Sequence, residues 1–262
     1  ALHQGAAGTT NGPFVALPAG NKAWYGISVA PDGTTIYAVV WNGSIWKSTD
    51  SGATWVDLAA GARYWYGISV APDGTTIYAV VNNGSIWKST DAGATWVDLV
   101  AGNKSWTGIS VAPDGTTIYA AVAGGSIWKS TDAGATWVDL VAGNKAWHGI
   151  SVAPDGTTIY AVVNNGSIWK STDAGATWVD LVAGNKSWTG ISVAPDGTTI
   201  YAVVHGGSIW KSTDSGATWV DLVAGNKSWT GISVAPDGTT IYATVQNGSI
   251  WRSEWSAYAP VL

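Results

Sequence analysis

The chain has 262 residues, with 19 Trp, one Phe and neither Cys nor Met. Charged residues make up 11% and the formal net charge is −5, which excludes grip on a phosphate backbone through clustered Lys and Arg. The absence of Cys rules out disulfides and thiol catalysis, and no apolar run approaches the ~20 residues of a membrane span.

Residues 1–12 are rich in Gly, Thr and Ala and read as a loosely held lead-in. Pro13-Phe14-Val15-Ala16-Leu17 follows, and two periods on it aligns with Thr95-Trp96-Val97-Asp98-Leu99. It therefore reads as the last strand of a module that begins elsewhere. The period is 41 residues, and the signal at its centre is Ser89-Thr90-Asp91-Ala92-Gly93-Ala94-Thr95-Trp96. That octapeptide recurs, with an Ala/Ser change, at 48–55, 130–137, 171–178 and 212–219.

Six modules are marked by Trp24, Trp65, Trp106, Trp147, Trp188 and Trp229, each carrying an unchanged Gly-Ile-Ser-Val-Ala-Pro-Asp-Gly-Thr-Thr-Ile-Tyr-Ala. In the second, residues 67–71 alternate and are β-branched, so they predict a strand. Pro72-Asp73-Gly74 predicts a turn: Pro presets φ, Asp bonds locally and Gly takes positive φ. Residues 76–81 predict a second strand, and Asn83-Gly84 a type I′ hairpin. Residues 85–89 predict a third strand, Asp91-Ala92-Gly93 a turn, and 95–99 a fourth strand. No segment has helical period. The sixth module loses the octapeptide at Glu254-Trp255 and lacks a fourth strand, which 13–17 supply if the ends meet and no sheet edge is left open. The tail, 255–262, is expected to pack against this closure.

The expected fold is all-β: a monomeric six-bladed β-propeller of four-stranded blades in one domain. Its blades are 24–58, 65–99, 106–140, 147–181 and 188–222, with 229–253 as the first three strands of the sixth and 13–17 completing it.

Ser-x-Asp-x-Gly-x-x-Trp resembles the Asp-box, or BNR, repeat, and its five copies cover most of the chain. The resemblance implies a hairpin between the third and fourth strands of each blade. It also implies structural roles for Asp50, Asp91, Asp132, Asp173 and Asp214, which tie the turn. Trp55, Trp96, Trp137, Trp178 and Trp219 would pack between blades. The family includes sialidases, xyloglucan hydrolases, sortilin-type receptors, photosystem assembly factors and lectin-like propellers, so the resemblance implies an architecture and not one activity.

A sialidase of this family needs three arginines and a Tyr/Glu pair. This chain has Arg63 and Arg252 only, and its single Glu is Glu254. All 16 Asp fall at three repeated positions, so no carboxylate is singled out for acid or nucleophile duty. His3, His148 and His205 are not spaced for zinc, and no nucleophile elbow appears. Ala1-Leu2-His3 could wrap Cu(II) through a free amino terminus, against the plainer reading of a loose end. Asn42-Gly43-Ser44 and Asn103-Lys104-Ser105 match the N-glycosylation pattern, against the plainer reading of turns. The expectation is therefore a protein that is not an enzyme and needs no metal or cofactor.

Variation concentrates on the face that carries the second-to-third-strand turns and the inter-blade links. After the marker Trp come Tyr25, Tyr66, Thr107, His148, Thr189 and Thr230. Before the hairpin Gly come Trp41, Asn82, Ala123, Asn164, His205 and Gln246 at matching positions, and Arg63-Tyr64 replaces the usual Lys-Ser or Lys-Ala. Loop drift would produce variation, but not this bias to aromatic and amide groups. Tyr25, Trp41, Tyr66, Asn82, His148, Asn164, His205 and Gln246 are the candidate binding residues.

The six marker Trps form a second candidate set: stacking sites for sugars, or core plugs between blades. The leading expectation is a secreted or extracellular lectin using this face, with a glycan as partner and up to six ligands per chain. The alternatives are one central pocket for a small aromatic ligand, with His148 or His205 as base if it is catalytic, and an amplified or engineered scaffold without a ligand.

Overall fold

The computed structural model describes residues 14–253, and every regular element in that span is a strand. The expectations for residues 1–12, Pro13, His3, Glu254 and 255–262 lie outside the described residues.

A short strand β1 (Phe14–Ala16) precedes the first repeated unit, which is β2 (Lys22–Val29), β3 (Ile36–Gly43), β4 (Ile45–Ser48) and β5 (Val56–Asp57). These pair antiparallel in sequence order. The pattern recurs as β6–β9 (63–98), β10–β13 (104–139), β14–β17 (145–180) and β18–β21 (186–221), and then as β22 (Lys227–Val234), β23 (Ile241–Gly248) and β24 (Ile250–Ser253). The result is a closed, propeller-like arrangement of 24 strands in repeated units.

Closure is visible in three independent series of contacts. The amide of Val70 donates to Ser28 Oγ, and the same bond steps through Val111–Ser69, Val152–Ser110, Val193–Ser151 and Val234–Ser192 before returning to the start as Val29–Ser233. A Cβ on Gly26 would stand 2.6 Å from the Tyr66 carbonyl oxygen and 2.9 Å from Gly67 Cα, and a Cβ on Gly231 would in turn meet Gly26. Glycine is needed here because the inner strands of neighbouring units almost touch around the axis. The apolar clusters also span successive units: Tyr37, Val39 and Ile45 pack with Trp65, Ile68 and Ile77, while Tyr242 and Ile250 pack with Trp24 and Ile36. Each core therefore belongs to two neighbours, and no unit buries its apolar face alone. β1 pairs antiparallel with β24, with Phe14 opposite Ser253 and its ring 6.2 Å from Trp229.

The second strand of each unit is buried along a continuous stretch, as at Ile36, Tyr37, Ala38 and Val39, because it is covered on both faces. The Pro-Asp-Gly turns hold as predicted: Asp73 Oδ1 accepts from the Thr75 and Thr76 amides, and Gly74 has φ +74°. In the octapeptide hairpin Asp91 Oδ1 accepts from the Thr95 amide and from Ser89 Oγ, while Oδ2 accepts from Thr95 Oγ1 at 2.6 Å. Those bonds hold the Asp91 carboxyl down to about 2. Trp96 donates Nε1–H to the Gly93 carbonyl and packs 5.9 Å from Trp65.

Three local expectations change. The first strand of the second unit begins at Arg63 and not at 67, because its link residues pair with the preceding hairpin, Tyr64 opposite Trp41 and Arg63 opposite Gly43. The fourth strand shrinks to Val97–Asp98. The Asn83-Gly84 hairpin is not type I′, since Asn83 (φ +53°) takes positive φ and Gly84 does not. Gly84 is required for another reason: a Cβ there would meet Val81 Cγ1 at 2.7 Å.

Candidate functional site

The six marker Trps are fully buried, at 0% exposure, which removes them from the candidate binding residues and favours the core-plug reading over sugar stacking. Trp24, Trp65, Trp106, Trp147, Trp188 and Trp229 each donate Nε1–H to a carbonyl four residues earlier, as Trp65 does to Gly61. Their rings sit edge-on to a second Trp of the same unit, such as Trp65 to Trp87 at 6.2 Å. They plug the space between units because a large aromatic removes the most apolar area there. Truncating one to Ala would cost about 3–5 kcal/mol, so lost binding in such a variant would report unfolding.

The residue after each marker Trp turns toward the axis and falls into one of two kinds. Thr107 Oγ1 donates to the Trp147 carbonyl, Thr189 to that of Trp229, and Thr230 to that of Trp24, each at 2.9 Å. Each Thr thus staples its inner strand to the next unit. In the first, second and fourth units the position holds Tyr25, Tyr66 and His148: no such bond is made by the two Tyr, whereas the His148 ring bonds the backbone of Thr189 in the next unit. Their side chains reach one another across the axis.

Tyr66 Oη lies 3.1 Å from Nε2 and 3.3 Å from Nδ1 of His148. The Tyr25 ring is 4.7 Å from that of Tyr66, edge to face, and stacks on Trp41 at 5.2 Å. Trp41 continues to Tyr64 at 4.8 Å. On the other flank Gln246 donates Nε2–H to Tyr25 Oη at 2.9 Å, and its Oε1 is 3.3 Å from His205 Nε2. Six of the candidate residues, Tyr25, Trp41, Tyr66, His148, His205 and Gln246, therefore form one continuous cluster. Asn82 and Asn164 stay outside it: Asn82 Nδ2 reaches the Trp106 carbonyl at 3.5 Å, and Asn164 pairs opposite Ser187 in the hairpin–link ladder.

Burial pushes the His148 imidazole down to about 4, so at neutral pH the ring is uncharged. Burial also raises the phenols of Tyr66 and Tyr25 above the ordinary tyrosine value. The cluster is thus a neutral, hydrogen-bonded, aromatic wall over a narrow axial cavity of about 60 Å³, lined by inner-strand Gly and Ile residues with Tyr66, Thr107, Thr189 and Thr230. A cavity of that size takes only a few waters, so a ligand would sit at the mouth. In the third unit the rim is small: Ala123 and Gly124 form the hairpin tip, and a Cβ on Gly124 would meet nothing within 4 Å. Among the described residues, no group of three His, Cys, Asp or Glu side chains could hold a metal, and no helix is long and apolar enough to cross a membrane.

Two contributors were missed from the sequence. Tyr64, 48% exposed, extends the aromatic wall; its signal was the departure of Arg63-Tyr64 from the usual link. Thr244, where the other units have Val or Ala, bonds the Tyr25 carbonyl and the Thr230 hydroxyl and so fixes the strand that presents Tyr25.

No family model and no curated protein matches the chain. Solved structures do match in fold. One is an ancestral GH74 enzyme, at a TM-score of 0.64 and 18% identity, over 97% of this chain and 41% of that one. Another is the GH74 xyloglucanase of Xanthomonas campestris, at 0.61 and 17%, over 92% and 46%. A third is YCF48 bound to a D1 peptide, at 0.58 and 17%, over 95% and 98%. The chain spans less than half the length of the two GH74 enzymes. At these identities the likeness shows the fold alone, and that fold is a β-propeller. One expectation is overturned. Exclusion of enzymatic activity does not stand, because GH74 glycoside hydrolases share this fold.

Proposed function

We propose that the chain is a six-bladed propeller with one ligand site at its axial mouth, and that the ligand is a neutral carbohydrate. In this reading residues 14–16 complete the sixth blade, and the Ser-x-Asp-x-Gly-x-x-Trp hairpins are Asp-box repeats. The observation that carries the site is the replacement of Thr at three of the six equivalent positions by Tyr25, Tyr66 and His148, whose side chains meet. A scaffold selected only for stability would keep Thr at all six positions. Tyr25 and Tyr66 instead give up that hydrogen bond to the next unit, His148 makes one to Thr189, and all three replacements converge on each other.

Ligand chemistry follows from the wall. Aromatic faces suit the C–H faces of a sugar ring, and Gln246 and His205 offer hydrogen bonds to its hydroxyls. An uncharged imidazole and no nearby cluster of basic groups suit a neutral ligand over an anionic one. The burial of the marker Trps removes the basis for six sites, so the expected stoichiometry is one. Calorimetric titration with neutral oligosaccharides tests this: one site per chain, lost in Tyr25→Ala, supports the reading. Two or more equivalent sites, or no heat with any neutral sugar, would sink it.

The stacked Tyr25–Trp41 pair favours a second reading, a small planar aromatic ligand at the same mouth. Titration with indole and phenol separates the two.

A further inference from the structure

Four hairpin tips among the described residues carry the same Asn-Gly-Ser-Ile-Trp, at 42–46, 83–87, 165–169 and 247–251. Asn-Gly is a reactive pair. Glycine has no Cβ to shield its amide, so the amide nitrogen can attack the side-chain carbonyl carbon of the Asn. The N–Cγ bond forms, the Cγ–Nδ2 bond breaks, and Nδ2 leaves as ammonia with the amide proton. Water then opens the five-membered imide at either carbonyl, giving Asp or isoaspartate. A further pair, Asn11-Gly12, lies outside the described residues.

The four tips form a matched set. Asn42, Asn83 and Asn165 have φ +53° and Asn247 has φ +54°. All four are exposed. The glycines that follow are matched too: a Cβ on Gly43, Gly84 or Gly166 would meet a valine Cγ1 at 2.7 Å, and one on Gly248 at 2.8 Å. The nucleophile and the backbone that presents it are therefore equivalent. The amides under attack are not. Ser105 Oγ donates to Asn83 Oδ1 at 2.8 Å, and Ser187 Oγ donates to Asn165 Oδ1 at 2.8 Å. Each Ser stands in the link of the next unit, opposite the residue before the Asn. At the other two tips that link position holds Tyr64 or Ala23. Among the described residues the side chains of Asn42 and Asn247 have no hydrogen-bond partner.

We propose that Asn42 and Asn247 are sites of spontaneous deamidation in the folded protein, and that Ser105 and Ser187 protect Asn83 and Asn165. A tied amide must break its bond to Ser before Cγ can swing onto the glycine nitrogen. One net hydrogen bond slows the tied sites by about fivefold. The two open sites adjoin the axial cluster, since Asn42 follows Trp41 and Asn247 follows Gln246. Either product adds a carboxylate beside an uncharged wall, and isoaspartate also lengthens the main chain of the tip by a methylene. The chemistry is independent of the ligand at the mouth.

The experiment incubates the whole chain in warm, mildly alkaline buffer, native and in guanidinium, and follows each tip by mass spectrometry. Trypsin leaves every tip in a peptide of distinct mass, and fragmentation locates the changed Asn. In the native chain Asn42 and Asn247 should convert about fivefold faster than Asn83 and Asn165, and in guanidinium the four rates should converge. Ser105→Ala should raise Asn83 to the rate of Asn42 and leave Asn165 unchanged. The link tolerates that change, because Ala occupies the matching position at 23. Ala23→Ser should slow Asn247. Equal native rates, faster conversion at Asn83 and Asn165, a difference that persists in guanidinium, or an Asn83 rate unmoved by Ser105→Ala overturns the proposal. No conversion of Asn42 and Asn247 in the native chain overturns it too, and assigns protection to the hairpin backbone.

Discussion

Tyr66 and His148 are 82 residues apart in the chain, yet the phenol oxygen and the imidazole Nε2 lie 3.1 Å apart across the axis. Both occupy the position that holds a stapling Thr in three other units. The site is therefore built where the Thr staple is replaced by side chains that meet one another, and the exchange can be measured.

Replacing His148 by Thr should restore a bond to the Trp188 carbonyl, as Thr189 bonds that of Trp229 at 2.9 Å. A net hydrogen bond contributes about 1 kcal/mol, and the change loses the ring's bond to the Thr189 backbone together with its contact with Tyr66. The bond gained offsets the bond lost, so the variant should melt within about 2 °C of wild type while ligand binding falls. Tyr66→Thr should gain nothing, because it removes ring contacts with Tyr25, Trp41 and His148 worth about as much as the bond. Paired melting and titration curves check both. A melting temperature more than about 2 °C lower for His148→Thr would contradict the staple account.

Acid should weaken the fold in two steps. His148 is held down to about 4, below its ordinary 6.5, so between those values the unfolded chain binds a proton that the native chain refuses. Stability from this group is complete above pH 6.5, falls as pH drops toward 4, and changes no further below that. The box carboxylates act lower. Asp50, Asp91, Asp132, Asp173 and Asp214 sit at about 2 against an ordinary 3.8, so their contribution is present above 3.8 and is lost as pH falls toward 2. Urea midpoints followed from pH 7.5 to 2.5 should show both declines, and His148→Thr should lose the first and keep the second.

The periodic residues made the strands and turns legible in the sequence. Pro-Asp-Gly, the octapeptide and the marker Trps each have one local solution that repeats. The rim was legible as a set, because Tyr25, Tyr66, His148, His205, Trp41 and Gln246 stand out against constant neighbours. Its wiring was not legible. That Tyr66, and not Tyr25, reaches His148 depends on which units face each other across a narrow axis, which no single repeat encodes. For the marker Trps the sequence offered burial as one of two readings and could not choose between them. A Trp at a link faces solvent or core according to whether the link pairs with the preceding hairpin, as Ser105 does with Asn82, and that pairing lies between units.

The ring of inner-strand glycines sets how closely the units approach. A methyl on Gly26 would lie 2.6 Å from the Tyr66 carbonyl oxygen and 2.9 Å from Gly67 Cα. Both are backbone atoms, which cannot rotate away, so the inner strands would have to separate. Gly26→Ala should cost about 3 kcal/mol. Gly124→Ala is the control: its Cβ meets nothing within 4 Å, and only the positive φ of +69° opposes it, for about 1 kcal/mol. Urea unfolding of the two variants should separate them by roughly 2 kcal/mol, and equal losses would show that the axis can dilate.

Four valines hold a backbone conformation that β-branched residues avoid. Val100, Val141, Val182 and Val223 have φ between +52° and +54°, each just after the short outer strand. The amide of Val100 donates to Asp98 Oδ1 at 2.8 Å, which fixes the turn whatever the side chain. At 83% exposure the Val100 side chain packs on almost nothing, so its replacement loses no core contact. Asn tolerates the left-handed region, and Val→Asn should stabilise by about 1 kcal/mol at each site. The four sites lie in separate units and share no partners, so their effects should add. The quadruple variant should melt roughly 10 °C above wild type. It should bind ligand unchanged, because none of the four contacts the axial cluster. A melting temperature at or below that of wild type would mean that the left-handed valines carry no strain.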